Sequence, residues 1–216
     1  MKKRIVVLIS GSGSNLQAII DAVENGQING QVVAVISNKS DAFGLKRAEN
    51  HNIEHCVINH KNYPDRESFD AQLQTSIEQF APDIVVLAGF MRILTPGFVT
   101  HFTGKLINIH PSLLPKFKGL DTHQRALDAE EQYHGASVHF VTPELDGGPV
   151  IVQAPVAIVS GETVDSLKAK VHKVEHQIYP LAVQLLCEDK ITMTNEGVHY
   201  MNEMLPQSGI IHEVKI

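Results

Sequence analysis

From Arg4 to Ile9 the chain reads Arg-Ile-Val-Val-Leu-Ile, an unbroken apolar stretch rich in β-branched residues. A strand with one face in water would alternate polar and apolar residues; this one must be covered on both faces, as parallel strands under helices are. Ser10-Gly11-Ser12-Gly13-Ser14-Asn15 follows, and Leu16–Val23 then has helical periodicity. The same alternation continues. Gln31–Ile36 reads as a strand, Phe43–Asn50 as a helix and His55–Ile58 as a short strand. Asp65–Phe80 is an amphipathic helix with Phe69, Leu73, Ile77 and Phe80 on one face, Asp83–Ala88 an apolar strand, Thr95-Pro96 a helix start, and Lys105–Ile109 a strand. This pattern predicts an α/β fold with a doubly wound, mostly parallel sheet.

The second half is patterned differently. His134–Val141 and Val150–Ile158 are strand-like and flank a turn at Asp146, so an antiparallel pair and a mixed C-terminal part are expected. Thr163–Leu186 reads as a long helix with Pro180 as a bending point, and Ile191–Thr194 with Val198–Met201 as a hairpin. Residues 112–133 read as a long loop able to close over a ligand, and residues 205–216 as a loose tail. With 216 residues and neither repeat nor linker, one compact unit is expected, with halves of about 1–103 and 104–216.

Composition narrows the function. The net charge of −6 weighs against a general nucleic-acid binder. No apolar run has the length of a membrane span. The basic start Met1–Arg4 precedes an apolar run that is short and leads straight into glycines, which reads as a cytoplasmic chain without a targeting segment. Cys56 and Cys187 are far apart and suggest no disulfide framework. The twelve histidines include no HExxH; His172 and His176 share a helix face but lack a third ligand, so no metal is expected.

Two stretches carry chemistry. Gly11–Asn15, between a strand and a helix, suits either a single phosphate or a tight structural turn. It is no full dinucleotide fingerprint, since Leu16 stands where the third glycine belongs, and Ser37-Asn38-Lys39 offers no carboxylate for a ribose. In Ile107-Asn108-Ile109-His110-Pro111, Asn108 and His110 share one face of a strand that Pro111 ends. With the carboxylates of Glu144-Leu145-Asp146-Gly147-Gly148-Pro149 nearby, that amide and imidazole could stabilise an oxyanion and move a proton. Gly89–Leu94 leaves its strand at the same edge and could line a flat pocket or cap the core.

Asn108-Ile-His110-Pro-Ser-Leu-Leu-Pro115 with Gly119, and Gly135-Ala-Ser-Val-His139 with Glu144-Leu-Asp146-Gly-Gly-Pro-Val150, resemble the two signature blocks of folate-dependent formyltransferases. Gly11-Ser-Gly-Ser-Asn15-Leu-Gln-Ala-Ile and Leu87-Ala-Gly-Phe-Met-Arg92-Ile-Leu are similar to the branch acting on glycinamide ribonucleotide in purine synthesis. The resemblance covers nearly the whole chain and implies a Rossmann-like fold and formyl transfer from 10-formyltetrahydrofolate, a co-substrate, to that amine, with no metal. It implies Asn108, His110 and Asp146 as catalytic. Gly13, Ser14, Asn15, His172, Lys173 and Glu175 would hold the ribonucleotide. The backbone of Met91, Arg92, Ile93 and Leu94, with Arg66, Asn108, Thr142, Glu144 and Asp146, would hold the folate. Asp121 stands where some bacterial members have histidine, which leaves the shape of the 116–123 loop open.

Small-molecule partners are expected, without nucleic acid or membrane, in a monomer or homodimer. A methionyl-tRNA formyltransferase would carry a further RNA-binding domain and a basic surface. A formyltetrahydrofolate hydrolase usually carries an added N-terminal domain, whereas the first strand here starts at residue 4. A non-catalytic sensor would have no reason to hold all of Asn108, His110 and Asp146. Glu175 has a plainer alternative as a surface residue paired with lysines.

Overall fold

The computed structural model describes residues 1–213. Its strands and helices alternate as β1 (Lys3–Ile9), α1 (Ser14–Glu24), β2 (Gly30–Ser37), α2 (Phe43–Asn50), β3 (His55–Val57), α3 (Arg66–Glu78), β4 (Ile84–Leu87), α4 (Pro96–His101) and β5 (Leu106–His110). Then come α5 (Thr122–Asp128), β6 (Tyr133–Phe140), β7 (Val150–Ala157), α6 (Val164–Cys187), β8 (Ile191–Met193), β9 (Val198–Tyr200), β10 (Glu203–Met204) and β11 (Ile210–Ile211). The main sheet has the order β11-β7-β6-β5-β4-β1-β2-β3. The strands from β3 to β5 are parallel, whereas β6 runs antiparallel to β5 and to β7, so the expected mixed sheet is present. A separate antiparallel sheet holds β8, β9 and β10.

Apolar residues on both faces of β1 explain the two-sided core. Ile5, Val7 and Ile9 join the cluster that contains residues of α1 and α6; Val6 and Leu8 join Phe69, Leu73 and Ile77 of α3 and Phe98 of α4. Each such side chain, withdrawn from water, contributes about 2 kcal/mol. The helix starts are capped by local polar groups: Asp65 accepts from Ser68 N–H, Thr95 from Phe98 N–H, and Thr163 with Ser166 forms a capping box.

Since β1 lies between β2 and β4, the winding reverses there and a crevice opens beyond the carboxyl ends of β1 and β4. The Asn108/His110 strand end lies one strand further along. Ile107 and Ile109 join the α6-side core, leaving Asn108 and His110 on the opposite face, as the period of two requires.

Two expectations fail. The 112–133 segment is not all loop, because α5 forms within it and packs against α6. Its seven residues contain only Ala126 and Leu127 as apolar side chains, too few to show a helical period. Nor is the tail loose throughout: Ile210 and Ile211 add a parallel edge to β7, and His212 N–H donates to the Gln153 carbonyl. Such short pairings depend on a distant strand and leave no local pattern. Residues 214–216 of that tail lie outside the described residues. The bend expected at Pro180 is not needed to divide α6, which continues through it.

Candidate active site

Strand pairing places the chemistry. In the β5–β6 register Asn108 lies opposite His139, and His110 opposite Ser137. A register shift against β7 falls between Val138 and His139, beside the turn that bears Asp146. Asp146 has a left-handed backbone, φ 48°, and Gly148 must come close to the strand: a Cβ there would lie 1.8 Å from the Phe140 carbonyl oxygen. This tight turn aims the Asp146 carboxylate back at β5. His110 Nδ1 lies 3.4 Å from Asp146 Oδ2, and His139 Nε2 lies 3.9 Å from Oδ1.

Hydrogen bonds set the orientation of each group. His139 Nδ1–H donates to its neighbour's Phe140 carbonyl at 2.8 Å, so the neutral ring offers Nε2 as an acceptor to the Asn108 amide at 3.4 Å. His110 Nε2 donates to the Phe117 carbonyl at 2.9 Å. The Gly119 N–H donates to Asp146 Oδ2 at 2.9 Å, and Lys118 pairs with Glu144 at 2.7 Å. The 117–119 backbone therefore covers His110 and Asp146. Its far end is anchored by Arg125, which donates to the Lys118 carbonyl at 2.6 Å and lies over the Phe117 ring. Fully buried Tyr179 shares its proton between the carbonyls of Leu87 and Ile107, tying the end of β4 and the first residues of β5 to α6.

At the end of β1, Gly13 has φ 68° and caps α1 without a side-chain bond; a Cβ there would lie 2.7 Å from Gly44 Cα. The α1 N-terminus thus presents backbone N–H groups beside a glycine pair, an arrangement suited to an anion. Ser14 Oγ meets His172 Nε2 at 2.8 Å, and the Asn15 amide donates to Glu175 Oε2 at 3.0 Å. Residues some 160 positions apart come together here. Glu175 is buried rather than paired with surface lysines, and burial pushes its carboxyl above the ordinary range, partly offset by the Asn15 hydrogen bond. Lys173 is exposed beside them, and its amine has no partner among the described residues. A groove of about 610 Å³ adjoins this junction, lined by Ser14, Gln17, Arg47 and His176.

The Met91–Leu94 segment has a mixed character that reconciles its two sequence readings. Leu94 is buried in the core, while Met91 and Ile93 are 67% and 58% exposed. Arg92 lies over the Phe69 ring. Thr142 and Glu144 border the Asp146 turn, and a second groove, of about 630 Å³, is lined there by Lys118, Glu144, Asp146 and Gly147. Arg66 is exposed on the first turn of α3 and forms no polar contact with these residues. His139, Tyr179 and the Phe117 carbonyl were not singled out from sequence. His139 had a signal, its place in the second signature block; the other two act through tertiary contacts alone. Among the described residues no three His, Cys, Asp or Glu side chains converge as a metal site would require.

Burial holds His139 neutral, pushing its ring down to about 4, and His134 behind the loop likewise to about 4. Above the ordinary histidine value of 6.5 both states are neutral and nothing is lost. As pH falls from 6.5 toward 4 the unfolded chain binds protons that the folded chain refuses, so stability declines; below that window the loss levels off. For His139 the loss is on the order of 3 kcal/mol. Urea titrations at pH 7 and pH 4.5 should show it, and His139→Gln should shrink the difference by His139's share while His134 keeps its own.

A model of the formyl transferase family matches residues 3–183. The chain belongs to the formyl transferase family. It is 51% identical over 205 residues to the phosphoribosylglycinamide formyltransferase of Escherichia coli (strain K12), covering 95% of this chain and 97% of that protein. The enzyme of the same name from Haemophilus influenzae is 43% identical, over 98% of this chain and all of that one. Among solved structures, the Coxiella burnetii phosphoribosylglycinamide formyltransferase superposes with a TM-score of 0.94 at 47% identity, covering 98% of this chain and 99% of that one. The family's fold accounts for the parallel sheet with its antiparallel extension.

Proposed function

We propose that the chain transfers the formyl group of 10-formyltetrahydrofolate to the amine of glycinamide ribonucleotide, yielding formylglycinamide ribonucleotide and tetrahydrofolate in purine (IMP) biosynthesis. The convergence of Asn108, His110 and Asp146 carries this reading, and the similarity to enzymes bearing that name over their full length supports it. The neutral amine attacks the formyl carbon directly. The tetrahedral intermediate then places negative charge on the formyl oxygen, and the C–N bond to the folate breaks. Asn108 donates through its amide; His110 donates from Nε2, the nitrogen turned away from Asp146. The formyl oxygen takes the place of the Phe117 carbonyl on that nitrogen. Asp146, through a water, accepts the proton from the attacking nitrogen and returns one to the departing nitrogen.

The Met91–Leu94 backbone with the exposed apolar side chains of Met91 and Ile93, and the Thr142–Asp146 turn, suit one face of a flat folate ring, and exposed Arg66 suits its acidic tail. Gly13, Ser14 and Asn15 hold the ribonucleotide phosphate, with His172, Lys173 and Glu175 completing that side. We take the chain as one formyltransferase unit, with a phosphate-binding half and a folate-binding, catalytic half. It acts in the cytoplasm on small molecules alone, as a monomer or homodimer; no helix among the described residues is long and apolar enough to cross a membrane. A spectroscopic assay of 10-formyltetrahydrofolate loss tests the reaction. Loss that requires glycinamide ribonucleotide is expected. Loss without it would point to a hydrolase, and tight binding of both ligands without turnover to a sensor.

A further inference from the structure

The last backbone rung between β1 and β4 is the Ala88 N–H donating to the Leu8 carbonyl at 2.9 Å. Beyond it the two chains part, β1 into Gly11–Asn15 and β4 into Met91–Leu94. Ser10 closes the gap with its side chain. Its hydroxyl donates to Asn38 Oδ1 at 2.6 Å and accepts the Met91 N–H at 2.8 Å. Both residues are buried, Ser10 at 5% and Asn38 at 2% exposure. A hydroxyl has one proton; with Asn38 taking it, the oxygen lone pairs are left for the amide, and the direction of the chain is fixed. Asn38 is steadied in turn by His60, whose Nδ1 lies 3.2 Å from its carbonyl and whose ring stands edge-on to Phe69. At the other end of the same loop, buried Asp70 accepts the Thr95 N–H at 2.6 Å. Met91–Leu94 is therefore clamped at both ends by side chains from elsewhere, while Met91 and Ile93 between the clamps face solvent.

We propose that Ser10, oriented by Asn38, is a positioning residue for the folate: it holds the Met91 amide so that the Met91–Leu94 backbone is preset before the co-substrate arrives. The proposal rests on the functional reading above. Ser10 directly precedes the ribonucleotide turn, yet its hydroxyl points to the folate loop, so its removal should separate the two substrates. Alanine at position 10 leaves the Met91 N–H without its acceptor and frees the loop.

The test uses Ser10→Ala, Asn38→Ala and the double variant in the full chain. Each single variant should raise KM for 10-formyltetrahydrofolate about tenfold and the double variant no further, because both act through one bond. KM for the ribonucleotide should stay within about twofold and kcat within about threefold. Amide exchange should quicken at residues 91–94 and stay slow across β1 and β4. An unchanged folate KM, equal losses for both substrates, or multiplying losses in the double variant would overturn the proposal. Should Ser10→Ala not fold, Asn38→Ala, which leaves the hydroxyl free to turn, decides by the same readouts. A wild-type chain that binds no tetrahydrofolate would sink the functional reading instead; the exchange measurement then judges the clamp, and unchanged exchange at 91–94 refutes it.

Discussion

Replacing His110 with alanine is expected to lower kcat about a thousandfold while the ribonucleotide binds within about threefold of normal. The imidazole is buried at the end of β5, fixed by Asp146 on one nitrogen and by the Phe117 carbonyl on the other. Neither contact reaches Ser14, Asn15 or Glu175, where the ribonucleotide is proposed to sit. What alanine removes is a donor to charge that exists only in the intermediate, so the loss belongs in kcat rather than in ground-state affinity. The variant also leaves the Phe117 carbonyl and one Asp146 contact unpaired, costing about 1–2 kcal/mol of stability, which is too little to unfold an ordinary domain. Steady-state kinetics with a urea titration separate the two effects. Near-normal turnover in the folded variant would remove histidine from the mechanism.

Gly148→Ala should be the most damaging small substitution in the turn. Its added carbon would meet the Phe140 carbonyl oxygen and carbon, at 1.8 and 2.9 Å, and these are backbone atoms of β6 that cannot swing away. The Phe140 N–H also donates to the Pro149 carbonyl at 3.0 Å, so relief must push the turn off the strand and break that bond. A stability loss on the order of 3 kcal/mol follows. Because Asp146 is two residues away and depends on this turn for its aim, kcat should fall about a hundredfold even where the chain remains folded. Thermal unfolding and kinetics on the same preparation check both. A variant with wild-type stability and turnover would mean that the turn does not set the carboxylate's position.

Much of this architecture was legible because the relevant patterns are local. The two-sided apolar run of β1, the helical period of α3 and the alternation in Leu106–His110 each follow from burial, and each forms where expected. Asn108 and His110 could be paired from the two-residue period alone. The approach of Asp146 was inferred only as a nearby carboxylate; its contact depends on the β6–β7 register, which a sequence does not print. His139 had a visible place in its block, but its role depends on lying opposite Asn108 across β5 and β6. Glu175 could be read as a surface residue or a ligand because helix periodicity does not reveal that α6 turns that face toward the β1–α1 loop. The missed α5 and β11 are short, and tertiary packing rather than propensity stabilises them.

The most direct test of the central claim follows the formyl carbon itself. 10-Formyltetrahydrofolate labelled with ¹³C in the formyl group would be incubated with the enzyme and glycinamide ribonucleotide, and the label traced by NMR. Direct transfer predicts one labelled formamide on the ribonucleotide for each tetrahydrofolate released, with no labelled formate and no reaction in its absence. Label accumulating as free formate, with the ribonucleotide unmodified, would contradict it.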